Sequence, residues 1–393
     1  MYWLTFVVFP VFVLGHFLLC LRVHRLLTRA SNTYRARRWP KALLAAAAVL
    51  FTAMPLLGCV LRDGALRFRM MKWGNLWFGF FVYFGLATVL LHLIEWILRR
   101  RLRGSARWAR ACLIAALAAS LATNAYGLYH ATDIQVTRVE IPLEKRADID
   151  RLRVCLIADL HMSVNSRPST IEKMAAMVNA EQPDVVLFAG DLLTSTLAGL
   201  EDKDAYVQAL NSIKAPYGVY GIYGNHDVDE SLLGGFAITP EALAFRSDDI
   251  RAYANRCFPM YSDEVVSIAD GAVTLVCRED GEKPGRGDEP RMAASELMAD
   301  IDADKPVFVL EHEPVEYAEL SACGADLVLS GHTHNGQLFP GTLLIGLFNE
   351  NAYGVKRVGN AVSVVTSGVG FYGPPLRVGS DSEIMILDIT FGN

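Results

Sequence analysis

The residues of this 393-residue chain that could do chemistry are His, Asp and Asn side chains placed where apolar runs end. The run ADLVLS, for example, is followed by GHTHNGQ, which puts His332 and His334 two positions apart beside Gly331. In an extended segment, side chains two positions apart point to the same side. One such residue alone would more often be a packing residue, but the pattern recurs at five runs and favours a shared site. The candidates are Asp159, His161, Asp191, Asn225, His312, His332 and His334.

These seven residues form a ligand set of two carboxylates, one carboxamide and four imidazoles, which suits divalent Mn, Fe or Zn. One ion takes at most four or five of them, so the set indicates two ions that share a carboxylate. Asp191, which follows Gly190, is the expected bridge. Two adjacent ions can activate a hydroxide and neutralise phosphate oxygens, and this predicts phosphoester hydrolysis. A thiolate zinc site is not expected, because the cysteines show no close paired spacing, although pairing of Cys257 with Cys277 stays open.

Alternating extended and helical segments must position these residues. The runs LRVCLIADLH, DVVLFAGD, GVYGIYGNHD, PVFVLEH and ADLVLSGHTH are typical of buried strands, whereas PSTIEKMAAMVNAEQ and DAYVQALNSI are typical of helices. The carboxyl ends of such strands are where α/β folds carry their chemistry. Two further strands within 361–390, joined by a Gly/Pro loop, could build a second sheet. Residues 132–393 are therefore expected to form an α/β domain with two stacked sheets between helices, and 279–290 an exposed excursion.

Residues 1–131 differ from the rest in composition and charge. They hold 17 of the 37 Lys and Arg but only 2 of the 42 Asp and Glu, which leaves 20 basic and 40 acidic residues for the remainder. Four apolar runs there are each about 20 residues long, enough to cross a bilayer as helices. The first run is not preceded by positive charge, so a retained span is expected rather than a cleaved signal peptide. The expected transmembrane domain, 1–131, has spans at about 1–21, 42–61, 75–98 and 111–131.

The loops between the spans predict the orientation of the chain. Seven Lys and Arg lie in the first loop and six in the third, against four in the second. By the positive-inside rule the first and third loops are cytoplasmic. The domain from residue 132 onward is then expected on the extracytoplasmic face.

At its candidate ligands the chain resembles the calcineurin-like metallophosphoesterases. The blocks ADLH, GD, GNHD, LEHEP and GHTH occur in the order of that family, and the resemblance covers roughly 134–390. The tail SGVGFYGPPLRVGSDSEI is similar to a bacterial membrane-associated branch that includes UDP-diacylglucosamine hydrolases and other phosphodiesterases. The resemblance implies an αββα sandwich, two metal ions with Mn favoured, and a multi-pass location in a bacterial inner membrane.

The resemblance also implies which residues bind each ion. The first ion would be bound by Asp159, His161, Asp191 and His334, and the second by Asp191, Asn225, His312 and His332. Glu311 and Glu313 flank His312, where relatives often carry smaller or neutral residues. Strand alternation is expected to turn both of them away from the face that carries His312.

Beyond the ligands, the resemblance implies catalytic and substrate-binding residues. His226 would protonate the leaving oxygen, and the neighbouring Asp227 would orient its imidazole. Asn335, Gln337 and Arg377 are expected to contact the substrate. Arg377 has the best claim, because a guanidinium matches phosphate geometry and basic residues are scarce in this half.

The charge of the domain restricts the expected class of substrate. The acidic domain argues against a nuclease, because cationic grooves supply most of the affinity for nucleic acid. The expected partners are a lipid bilayer and a phosphomonoester, phosphodiester or pyrophosphate that is small, nucleotide-like or lipid-linked. A UDP-linked lipid made in the cytoplasm would, however, lie on the opposite side from the expected domain. The alternatives are a membrane sensor or scaffold that binds a phosphate ligand without turnover and, with no feature in its favour, a protein phosphatase.

Overall fold

The computed structural model describes residues 3–102, 104–239, 244–281 and 291–392, with side chains from residue 10 onward. Two compact units make up the chain: one contains 1–129, 231–240 and 373–376, and the other contains the remaining residues. Most of the expected excursion at 279–290 lies outside the described residues, which resume at 291.

Long apolar helices form most of the first unit. In chain order the helices are α1 (Trp3–Ala30), α2 (Asn32–Ala36), α3 (Trp39–Val60), α4 (Ala65–Ile97), α5 (Arg99–Leu102) and α6 (Ala106–His130). By length and composition, α1, α3, α4 and α6 could each cross a membrane, which confirms the prediction of four such helices. They extend beyond the apolar runs, α4 by ten residues at its start, because helical hydrogen bonding continues through polar residues that hydropathy does not mark.

An ion-pair cluster links two of these helices. Glu95 of α4 accepts a hydrogen bond from Arg22 of α1 at 3.0 Å and another from Arg29 of the same helix. The Glu95 side chain is only 9% exposed. A buried carboxylate is costly without partners, so the two guanidinium groups keep it charged and connect α1 to α4.

The second unit contains two six-stranded sheets among its described residues. The strands among the described residues are β1 (Gln135–Arg146), β2 (Arg151–Ile157), β3 (Val185–Ala189), β4 (Val219–Ile222), β5 (Leu232–Leu233), β6 (Phe236–Ala237), β7 (Met260–Tyr261), β8 (Glu264–Ile268), β9 (Val273–Cys277), β10 (Val307–Leu310), β11 (Leu327–Ser330), β12 (Gly354–Val358), β13 (Ala361–Val365) and β14 (Glu383–Gly392). Of these, β5 and β6 belong to the first unit. One sheet has the order β1-β14-β2-β3-β4-β7 and the other β12-β13-β11-β10-β9-β8. Within them β2, β3 and β4 run parallel, as do β9, β10, β11 and β13.

Helices cover the outer faces of the two sheets. They are α7 (Pro168–Glu181), α8 (Lys203–Asn211), α9 (Asp248–Cys257), α10 (Ala294–Leu297) and α11 (Tyr317–Ala322), whereas α12 (Gly341–Leu344) has no buried residue. The apolar core between the sheets includes Leu187 of one and Phe308 of the other. Met174 of α7 packs on the far side of the first sheet, and Leu320 of α11 on the far side of the second. The predicted α/β architecture of two sheets between helices is confirmed, and all seven cysteines are free thiols.

Candidate metal centre

The candidate ligands follow five strands and meet at one edge of the sandwich. They are Asp159 and His161 after β2, Asp191 after β3, Asn225 after β4, His312 after β10, and His332 and His334 after β11. The carboxyl ends of parallel strands lie at the same edge of a sheet, which is why residues distant in sequence converge here. All seven belong to the second unit.

The backbone at these residues is unusual. Five of the seven have a positive φ, a region that residues other than glycine rarely occupy: Asp159 (55°), His161 (43°), Asp191 (58°), His332 (71°) and His334 (50°). Each residue held there costs about 1 kcal/mol or more. Such strain in one place supports a functional role, since packing alone does not require it.

Backbone amides hold the two carboxylates in place. The amide of His332 donates to both oxygens of Asp159 at 3.1 Å, and the amide of His226 donates to Asp191 Oδ1 at 2.8 Å. A Cβ atom on Gly331 would lie only 2.7 Å from Asp159 Oδ2. Glycine at this position therefore lets the loop of His332 approach the carboxylate closely.

Asp191 lies at the centre of the cluster. Its Oδ2 is 3.1 Å from His312 Nε2 and 3.4 Å from His161 Nε2. His312 Nε2 is also 3.2 Å from Asn225 Oδ1, and the His332 ring is perpendicular to that of His312 with centroids 5.1 Å apart. One carboxylate oxygen thus faces imidazoles on two sides, which is the position expected of a bridging ligand.

A second group of ligands lies beside Asp191. His161 Nε2 is 2.9 Å from His334 Nε2, and His334 Nε2 is 3.9 Å from Asp159 Oδ1. Three of these imidazoles are anchored through Nδ1: His161 to Thr194 Oγ1, His312 to the Ala189 carbonyl and His334 beside Arg377. The corresponding distances are 2.7, 2.7 and 3.2 Å. The Nδ1–H groups of His161 and His312 can donate in these contacts, which is a usual arrangement around metal ligands, whereas Nδ1 of His334 accepts from the guanidinium of Arg377, which can only donate.

Burial sets the protonation of this cluster. It raises the pKa of Asp159 to about 7 and lowers the pKa of His161 to about 3. Burial also opposes ionisation of Asp191, but the charges of His312, His226 and His161 together outweigh it and hold the pKa of Asp191 well below its usual value. Conversely, although burial disfavours the imidazolium, Asp191 raises the pKa of His312. The oxygens of Asp191 and Asn225 both face His312 Nε2, at 3.1 and 3.2 Å.

The donor set fits divalent cations. The donor atoms of Asp159, His161 and His334 lie within 4.8 Å of one another, as do those of Asp159, Asp191 and His312. Carboxylate oxygens and imidazole nitrogens bind such ions at about 2.0–2.2 Å, so atoms at this spacing can share one. A bound cation would supply the charge that the buried carboxylates lack.

Comparison with known proteins agrees with this arrangement. Residues 152–336 match the family described as calcineurin-like phosphoesterase. The chain therefore carries a calcineurin-like metallophosphoesterase domain. The family is dependent on a dinuclear metal centre and acts on phosphoester bonds.

The relatives of this domain include membrane proteins. A Danio rerio transmembrane protein with metallophosphoesterase domain is 32% identical over 266 residues, which cover 66% of this chain and 58% of the relative. An uncharacterized metallophosphoesterase of Campylobacter jejuni is 28% identical over 65% of this chain and 63% of the relative. One from Aquifex aeolicus is 27% identical over 68% of this chain and 95% of the relative. The chain spans about three fifths of the length of the first two.

In the metallophosphoesterase domain, the partner of the His226 imidazole differs from the predicted one. Its Nδ1 lies 2.7 Å from Glu230 Oε1, and the Glu230 side chain is fully buried. Asp227 instead accepts backbone N–H groups of Asp191, Leu193 and Gly224 at 2.9–3.1 Å. The predicted orienting role of Asp227 is therefore wrong, because its carboxylate holds the loop of Asp191 instead. The spacing of His226 and Glu230, four residues apart, is the signal that could have identified Glu230.

Arg377 is not placed to contact a substrate. Its side chain is fully buried, and its guanidinium donates to the carbonyls of Ser367, Gly370 and Asp381 at 2.6–2.9 Å. One nitrogen also lies beside His334, as described above. This placement contradicts the predicted substrate contact: Arg377 organises the Gly/Pro loop behind His334.

Of the other two predicted substrate contacts, Gln337 holds a neighbouring loop. Its amide exchanges two hydrogen bonds of 2.8 Å with the backbone of Tyr372, whose ring stacks on His226 with centroids 4.2 Å apart. Sequence reasoning missed Tyr372. Asn335 is half-buried next to His334, and its backbone N–H donates to Thr333 Oγ1 at 3.2 Å.

One of the two acidic residues beside His312, Glu311, lies outside the ligand cluster. Glu311 is fully buried and accepts a hydrogen bond from Arg278 at 2.7 Å. Burial raises the pKa of Glu311 to about 7, although the charge of Arg278 lowers it in part. Glu311 thus belongs to a buried ion pair behind the site, in line with the expectation that it faces away from His312.

Proposed function

We propose that this chain is a membrane-anchored dinuclear-metal phosphoesterase that hydrolyses a small or lipid-linked phosphoester. The observation that carries the proposal is the position of Asp191, whose Oδ2 lies between the inward nitrogens of His161 and His312. The excess of acidic residues from 132 onward favours such a substrate over long nucleic acids. The substrate can be a monoester, a diester or a pyrophosphate.

Each group of ligands would bind one ion. Asp159, His161, Asp191 and His334 would bind the first, and Asp191, Asn225, His312 and His332 the second. When bound, the two ions supply Lewis-acid activation of the phosphate and of the attacking water. The mixed nitrogen and oxygen donors suit Mn, Fe or Zn, and we favour Mn.

The remaining residues of the site donate the proton to the leaving group and hold the side chains and the loop in position. His226 donates a proton to the leaving oxygen as the ester bond breaks. Glu230 holds His226 through Nδ1, and Nε2 would donate the proton. The ring of Tyr372 stacks on that imidazole and limits its rotation. Asp227 fixes the loop of Asp191 through backbone amides.

Removal of metal is expected to abolish turnover. Full-length protein in detergent should hydrolyse bis-p-nitrophenyl phosphate with Mn, and dialysis against EDTA should lower kcat by about 100-fold or more, because the ions contribute several kcal/mol to stabilisation of the transition state. Added Mn should restore activity together with about two ions per chain, measured by elemental analysis. Full turnover by metal-free protein would contradict the proposal. Phosphate binding by the Mn-loaded protein without turnover would favour a sensor or scaffold instead.

We also propose that the chain lies in a bacterial inner membrane with its metal centre on the extracytoplasmic face. The basic loops after the first and third spans support this orientation. Alkaline phosphatase fused after Asn393 is expected to be active in intact bacteria, since it folds only outside the cytoplasm. The matched fusion to a cytoplasmic reporter should be inactive, and the reverse result would contradict the orientation.

A further inference from the structure

An exposed apolar segment follows the metal-binding loop of the second unit. Residues 339–355, here called the apolar segment, contain α12 and carry seven exposed large apolar side chains: Phe339, Leu343, Leu344, Leu347, Phe348, Tyr353 and Val355. Leu347 and Phe348 are 76% and 81% exposed. Elsewhere among the described residues from 130 onward, no large apolar side chain is more than 41% exposed. Such a concentration marks an interaction surface rather than ordinary surface variation.

The start of the apolar segment is bonded to the Gly/Pro loop that precedes β14, and its end is bonded to the metal-binding loop. At its start, the amide of Phe339 donates to the Val378 carbonyl at 2.7 Å. At its end, Thr333 Oγ1 donates to the Ala352 carbonyl at 2.6 Å. Thr333 lies between the two histidines of GHTH. The exposed side chains are therefore carried by the same loop as two proposed ligands, so whatever covers them lies close to the metal centre.

Charge around the apolar segment favours a membrane surface. Residues 338–358 contain one acidic residue, Glu350, and two basic ones, Lys356 and Arg357, whereas acidic residues outnumber basic ones two to one from 132 onward. Lys356 and Arg357 are both exposed. Apolar side chains followed by basic ones are typical of segments that insert into the interface of anionic lipids. The chain also has four helices long and apolar enough to cross a membrane, and the anchoring proposed above would keep the apolar segment near a bilayer.

We propose that the apolar segment inserts into the headgroup layer of the bilayer and that the metal centre beside it acts on phosphoesters carried by membrane lipids. Insertion of Leu347 and Phe348 would remove apolar surface from water and place the GHTH loop at the level of the lipid headgroups. This inference rests on the proposed phosphoesterase function for its substrate class, but the membrane contact itself does not require turnover.

Two substrates with the same reacting group test the substrate class. Full-length protein in nanodiscs of phosphatidylethanolamine and phosphatidylglycerol would be assayed with p-nitrophenyl hexadecyl phosphate, which partitions into lipid, and with p-nitrophenyl methyl phosphate, which stays in water. The double variant Leu347→Ser/Phe348→Ser is expected to lose about tenfold or more in kcat/KM on the hexadecyl ester and less than about twofold on the methyl ester. The control Val265→Ser/Met292→Ser, at exposed apolar positions of the same unit, should change neither. Equal losses on both esters, or no loss on either, would overturn the proposal.

Insertion can be measured without turnover, which separates this inference from the proposed function. A nitroxide label would be placed by Phe348→Cys in a chain whose partly exposed cysteines, Cys20, Cys59 and Cys323, are replaced by alanine. In nanodiscs the label is expected to be more accessible to oxygen than to a water-soluble nickel complex, and the same label at Val265 should show the opposite preference. A label at 348 that is open to the nickel complex means that no insertion occurs. A label shielded from both quenchers means a protein contact, such as a second copy of the chain, and either result overturns the proposal.

Discussion

Asp191→Asn is expected to lower kcat on bis-p-nitrophenyl phosphate by about 1000-fold, equivalent to about 4 kcal/mol of transition-state stabilisation. The change is nearly isosteric, but it removes the charge of the proposed bridge. An amide nitrogen in place of Oδ2 would also direct N–H groups at His161 Nε2 and His312 Nε2, which lie 3.4 and 3.1 Å from that oxygen. Metal content by elemental analysis and kcat should therefore fall together.

The control for this substitution lies at the other end of the same strand. Asp184 immediately precedes β3, and its Oδ2 accepts the amide of Arg153 at 2.7 Å, far along the strand from Asp191. Asp184→Asn should keep both metal ions and its kcat within about twofold, with at most a loss of about 1 kcal/mol in stability. If Asp191→Asn instead bound two ions and turned over within tenfold of the parent, Asp191 would not be the bridge.

The sequence predicted that the candidate ligands converge, because a strand determines the position of each of them. Asp191 and His312 are separated by more than one hundred residues, yet each directly follows a buried strand, and parallel strands bring such residues to one edge. The same reasoning required no knowledge of side-chain contacts. It did not indicate the positive φ values at Asp159, His161 and His334, which result from the turns that follow the strands.

Residues whose role depends on burial were predicted less well. A guanidinium in an acidic domain suggests phosphate binding, but Arg377 is surrounded by carbonyls of the loop it stabilises. Sequence gives the charge of a side chain and not its depth. Likewise, Asp227 adjoins His226 in sequence, whereas Glu230 contacts it in space, because the turn after the GNHD block carries the later residue back to the imidazole.

The role of the apolar segment also depends on the exposure of its side chains, which the sequence does not indicate. Apolar residues are buried by default, so a stretch such as FPGTLLIGLF attracts no functional interpretation from sequence alone. Only the exposure of Leu347 and Phe348 distinguishes it from a core element. The proposed membrane contact therefore depends on the structure, while the proposed chemistry depends mainly on residues that the sequence already marks.

His226→Ala is expected to produce a loss that depends on the leaving group. If His226 protonates the leaving oxygen, diphenyl phosphate, whose phenolate leaves poorly without a proton, should lose about 100- to 10,000-fold in kcat. Bis-p-nitrophenyl phosphate should lose much less, because p-nitrophenolate leaves without protonation. Metal content should not change, because Asp191 accepts from the backbone amide of residue 226, which alanine also supplies.

Glu230→Gln tests whether the buried carboxylate supports His226 in that step. Glutamine can still accept the Nδ1–H hydrogen bond, which is 2.7 Å long with glutamate, but it no longer stabilises a charged imidazole. The expected result is a smaller loss of about tenfold on diphenyl phosphate, with near-parental kcat on bis-p-nitrophenyl phosphate. Equal losses on both esters in His226→Ala would mean that His226 binds the phosphate without protonating the leaving oxygen. Parental activity of Glu230→Gln on diphenyl phosphate would mean that the charge of Glu230 is not needed.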